Sequence, residues 1–85
     1  MSDTKTFQTS DYKCVVTKMF DETDEKFCIN LKWEIPGLEG VDVNVKLKRE
    51  QGTQESAQRL FDGQNPDTVQ AIFEGEIQPF IKHLL

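Results

Sequence analysis

Two stretches of the chain alternate apolar and polar residues one for one. Phe27, Ile29, Leu31, Trp33 and Ile35 are interleaved with Lys26, Cys28, Asn30, Lys32 and Glu34; Val41, Val43, Val45 and Leu47 are interleaved with Asp42, Asn44, Lys46 and Lys48. Successive side chains of a strand point to opposite faces, so each stretch reads as a strand with one buried and one wet face. Pro36-Gly37-Leu38-Glu39-Gly40 between them has the composition and length of a hairpin turn. It sets Ile35 near Val41 and Trp33 near Val43.

The stretch from Tyr12 to Phe20 is also β-prone, with a mixed pattern. Tyr12, Cys14, Val16 and Phe20 share one parity with Lys18, and Val15 and Met19 share the other with Lys13 and Thr17. Taking the even set as core turns Val15 and Met19 to the opposite face. Asp21-Glu22-Thr23-Asp24-Glu25 follows, a dense acidic hairpin tip whose carboxylates are expected to stay in water. Residues 1–10 are polar apart from Phe7 and read as a flexible arm, with a short edge strand as the alternative.

After Arg49 the period changes. Gln51-Gly52-Thr53 ends the strand, and Thr53 caps a helix running to about Asp62, with Ala57, Leu60 and Phe61 on one side and Gly63 as its stop. Asn65-Pro66-Asp67 opens a second helix over 66–84. Val69, Ile72, Phe73, Ile77, Phe80, Ile81 and Leu84 follow helical spacing within it. Pro79 lacks an N–H for the Gly75 carbonyl, so a kink or restart is expected near Gly75 to Gln78. The pattern predicts an α+β fold: a two-layer, three-stranded antiparallel meander in the order β-β-β-α-α, with the C-terminal helices on one face. Residues 11–85 make its single domain. The expected core is Phe27, Ile29, Leu31, Trp33, Val43, Val45, Leu47, Leu60, Ile72, Phe73 and Ile77.

Length and charge narrow the function classes. At 85 residues the chain makes one domain, burying roughly 60% of its unfolded surface. The net charge of -5 and pI near 4.7 argue against a general binder of duplex nucleic acid or of anionic membrane, both of which require excess cations. No apolar run reaches membrane-spanning length and the first residues lack a signal-peptide core. With only two cysteines, the expected location is the cytoplasm.

Catalytic chemistry finds little support. His83 has no companions that would make it a base or a metal ligand. Cys14 and Cys28 are not spaced as a zinc site, and the expected hairpin holds them roughly 13 Å apart on the ladder, beyond disulfide reach. Both are expected as free thiols, Cys14 in the core and Cys28 on the wet face. The acidic tip lacks the frame and the glycine of a calcium loop. No Gly-rich phosphate loop or Ser/His/Asp set is present. No catalytic residue, cofactor or metal site is therefore assigned.

The expectation that remains is a small acidic, non-enzymatic protein-interaction module: an adaptor, subunit or inhibitor binding a protein partner or a second copy of itself as a homodimer. Such chains are common among phage and mobile-element genes, an association rather than a physical argument. Candidate partner-binding residues are Val15 and Met19, the carboxylates Asp21, Glu22, Asp24 and Glu25, and the apolar C-terminus with Phe80, Ile81, Leu84 and Leu85. The alternative is a nucleic-acid-binding domain that uses Lys26, Lys32, Lys46 and Lys48 on the open sheet face.

Overall fold

The structure, a computed structural model, describes residues 4–84. Four strands, β1 (Thr4–Gln8), β2 (Lys13–Asp21), β3 (Lys26–Glu34) and β4 (Val43–Leu47), form an antiparallel sheet in the order β1-β2-β3-β4. Helix α1 (Gln54–Asp62) follows, then α2 (Pro66–Ile72), a π turn (Phe73–Ile77) and α3 (Gln78–Leu84). The class is α+β as expected, but the sheet has four strands and not three. The additional strand comes from the expected arm: Thr4 to Gln8 pair with Thr17 to Lys13 and form an edge.

The face of β2 is the even one. Tyr12, Cys14 and Val16 are buried, and Val16 and Cys14 stand opposite Leu31 and Trp33. Lys18, inward by parity, is accommodated because its amine reaches the Gln58 carboxamide at 2.6 Å and lies 5.2 Å above the Phe61 ring. Its aliphatic stem can then cover apolar surface without burying the charge. Phe20, placed in the core by the sequence reading, is instead 44% exposed, stacked edge-on against Phe27 at 4.9 Å. Phe27 is itself only half-buried.

Trp33 does face Val43, but β4 starts at Val43. Ile35 and Val41 do not pair: Leu38 N–H donates to the Ile35 carbonyl and Val41 N–H to the Leu38 carbonyl, two successive turns that leave Val41 exposed.

The core joins Tyr12, Cys14, Val16, Ile29, Leu31, Trp33 and Val43 to Phe61, Val69, Phe73 and Ile77 from the helices. Val45, Leu47, Leu60 and Ile72 pack around it, half-buried. Tyr12, Trp33 and Phe73 form an aromatic cluster with centroids 4.5–5.9 Å apart. Both helix starts carry reciprocal caps: Thr53 with Ser56, and Asn65 with Thr68. The expected break at Pro79 is a π turn. Gln78 N–H donates to the Phe73 carbonyl, five residues back, so the widened turn lies directly before the proline, which has no N–H to donate.

Candidate interaction surface

The helices cover one sheet face; among the described residues no element covers the other. Its rows read Gln8, Lys13 and Glu34, then Thr6, Val15, Lys32 and Asn44, then Thr4, Thr17, Asn30 and Lys46, then Met19 and Cys28, then Asp21 and Lys26. Asn30 donates to the Asn44 side chain at 3.0 Å. Val15 and Met19 lie on this face as expected, half-buried.

At one end of the face sits an ion cluster. Lys48 Nζ donates to Asp21 Oδ2 at 2.7 Å and also pairs with Asp24, while Lys46 lies 3.7 Å from Asp21. Asp21 Oδ1 accepts the Thr23 N–H at 3.0 Å, which fixes the hairpin tip. Asp21 is thus buried and bonded, which corrects the expectation of a wholly solvated acidic tip. The cause is the register: Asp21 is the last residue of β2, on the same face as Lys46 and Lys48. Its bond to Lys48, aided by Thr23 and the charge of Lys46 against the opposing desolvation, lowers its pKa to about 2. The Lys48 ammonium is held above its ordinary value by the same carboxylates. Glu22 and Glu25 remain exposed.

The same cluster corrects Cys28. Its thiol lies on the open face, as the alternation requires, yet is fully buried. Met19 faces it across the ladder, and Asp21, Lys46 and Lys48 stand close enough to act on it electrostatically. Burial, more than the Asp21 charge, raises its pKa, and burial alone pushes Cys14 to about 12. The two thiols are free, five residue pairs apart on the ladder, and on opposite faces of the sheet.

Of the candidate lysines, Lys46 and Lys48 are held by the carboxylates. Lys26 lies against Gly52, and Lys32 is exposed. No aromatic ring lies among the residues of that face in the four strands.

A second surface is built by α3. Ile81 packs on the core from half-buried exposure, whereas Phe80 and Leu84 are 43% and 48% exposed. They stand four residues apart, so their side chains form one ridge along the helix. α3 continues directly from the π turn, and Ile81 is its residue packed against the core. Leu85 lies outside the described residues. The acidic tip and the α3 ridge belong to different elements, and Asp21 and Asp24 are committed to Lys48.

Sequence reasoning missed the exposed Phe20 and Val41 and held the β1 edge only as the alternative to an arm. The β1 signal was present in the threonines and phenylalanine of Thr4-Lys5-Thr6-Phe7-Gln8, too short a run to separate from an arm. Among the described residues no three His, Cys, Asp or Glu side chains gather as a metal site, and no helix is long and apolar enough to cross a membrane. No family model, curated protein or solved structure matches the chain.

Proposed function

We propose that this chain is a small, acidic, non-enzymatic protein-interaction module, an adaptor, subunit or inhibitor that acts by occupying a partner's surface. The observation that carries the reading is the α3 ridge. Phe80 and Leu84 expose two large apolar side chains on one face of a helix that the rest of the fold leaves uncovered. Exposed apolar residues grouped on one small element are a common mark of a contact surface. Helices offering anchors four residues apart dock into apolar grooves. With Glu76 exposed one turn before Phe80 and a net charge of -5, the partner that fits is a protein groove with an apolar floor and a basic rim.

The nucleic-acid reading is the weaker one. Lys46 and Lys48 are engaged by Asp21 and Asp24, and the open face supplies no ring for base stacking.

The test compares the full chain with Phe80→Ser and Leu84→Ser, alone and together, as bait in lysate of the host. The expected result is a defined partner retained by the natural chain and lost by the double variant, with both chains melting at the same temperature. A double variant that melts far lower, while the natural chain retains nothing, makes these residues core and overturns the reading.

A further inference from the structure

We propose that β1 is a strand-pairing edge whose occupant is β1 of a second copy of this chain, set antiparallel about a two-fold axis at Thr6. This goes beyond the α3 reading and rests on different residues.

The two edges of the sheet are guarded differently. β4 carries Lys46 and is flanked by Asp42, Lys48, Arg49 and Glu50, with Lys46 and Lys48 paired to carboxylates, so that edge is crowded with charged side chains. Charged edges, above all lysines, discourage strand addition. β1 has one charged residue, Lys5, and its amine is withdrawn from the edge. Lys5 Nζ donates to the carbonyls of Phe61 at 2.8 Å and of Asp62 and Gln64 at 3.4 Å, and sits 4.9 Å above the Phe61 ring. It serves as a cation at the end of α1. β1 contains no proline, and its register against β2 runs without a bulge. α1 packs mainly on β3 and β2 and meets β1 through Lys5 at its C-terminal end.

The direction of the backbone groups follows from the turn. Thr9 N–H donates to the Tyr12 carbonyl at 2.8 Å. Bonded and non-bonded pairs alternate in an antiparallel ladder. Phe7 and Lys5 therefore spend their groups on β2, while Thr6 and Gln8 turn N–H and C=O outward. A dyad at Thr6 sets Thr6 opposite itself, Lys5 opposite Phe7 of the second copy, and Gln8 opposite Thr4. Hydroxyl meets hydroxyl, amide meets hydroxyl, and the lysine stem lies beside a ring, all favourable cross-strand pairs. Moving the dyad to Lys5 opposes two ammonium groups and turns the bonding groups the wrong way. The Thr6 dyad keeps all five residues of the strand paired and brings outward bonding groups together. The product is one continuous sheet with both helix layers on the same side, an isologous contact.

The experiment is light scattering after size exclusion, on the full chain up to ~100 µM, with Thr6→Pro, Thr6→Lys and Thr6→Cys. Proline removes the outward N–H at the dyad without touching a β1–β2 bond. Lysine places like charges opposite each other. In a directly bonded pair the Cα atoms lie ~5.5 Å apart, within disulfide reach, and the native thiols are buried. The expected result is a particle of twice 9.8 kDa. Self-association should be at least about tenfold weaker in the proline and lysine variants at unchanged melting temperature. Thr6→Cys should cross-link readily under mild oxidation, and Thr4→Cys should not. If the proline variant unfolds, the lysine and cysteine variants decide. A natural chain that stays monomeric, a dimer that survives Thr6→Lys, or Thr4→Cys cross-linking as fast as Thr6→Cys overturns the proposal. None of these outcomes touches partner capture by Phe80 and Leu84, so the two readings fail separately.

Discussion

Asp21 joins the hairpin tip to the β4 edge, and its bonds make stability depend on acid. Its carboxyl takes up a proton near 3.8 when free of partners and at about 2 in the fold. Between those values the unfolded chain binds more protons, so this contribution is present above the ordinary carboxylate range and is lost as pH falls from about 4 to about 2. Denaturant melts of Asp21→Asn, run from neutral pH to pH ~2, should show a shallower acid loss than the natural chain. Equal slopes would mean that Asp21 carries no such linkage. Leu31 tests the face assignment. It is fully buried between Val16 and Val45, so Leu31→Ala should cost roughly 2–5 kcal/mol in denaturant melts, as core truncations do. A loss under about 1 kcal/mol would contradict its burial. The alternation of β3 made Leu31 legible from sequence alone. Asp21 was not legible, because among five acidic-turn residues nothing local distinguishes the one that register places beside two lysines. Trp33 was legible as core but not as an orphan: its Nε1–H is sealed and has no partner among the described residues.

At the scale of elements, caps and breaks were readable because their chemistry is local. Thr53, Asn65 and Pro66 take the role their types favour, and α1 stops at Gly63, although that glycine keeps a right-handed φ of -78°. The Pro79 break was readable as a place and not as a form, since a π turn depends on how Phe73 and Ile77 are held by the core. Two glycines separate local from tertiary demands. Gly75 lies in the π turn with open space where a Cβ would stand, so Gly75→Ala should raise stability by about 0.4–1 kcal/mol. Gly52 sits at φ +62°, its carbonyl accepting the Phe27 N–H at 2.8 Å, and a Cβ there would collide with the Lys26 side chain. Gly52→Ala should therefore destabilise by more than the Gly75 gain. Thermal melts of the two variants check both signs; a neutral Gly52→Ala would mean that the Lys26 stem yields freely.

For the molecule as a whole, the sheet separates two thiols by what must open to reach them. Cys14 lies under the helix layer, and Cys28 lies on the other face beside the ion cluster. Reaching Cys14 requires the helices to leave the sheet, whereas Cys28 needs only local opening near Asp21 and Lys48. A thiol reagent should modify Cys28 first, and Asp21→Asn should speed that site alone. Mass spectrometry of partly labelled chains reads the order, and simultaneous labelling would mean that only global unfolding exposes either thiol. The fold class and the inward face were legible because periodicity reports burial directly. The fourth strand was legible only as an alternative and the C-terminal apolar residues only as a candidate surface, because both depend on where the sheet ends relative to the helices.

All the helices follow all the strands in chain order. The hairpins join neighbours in sequence and so can form while synthesis continues. Phe61, Val69, Phe73 and Ile77, which close the core, come later. A nascent chain therefore displays Val16, Ile29, Leu31 and Trp33 uncovered for the time it takes to translate about half of its length, and protection by a chaperone is most valuable to it in that interval.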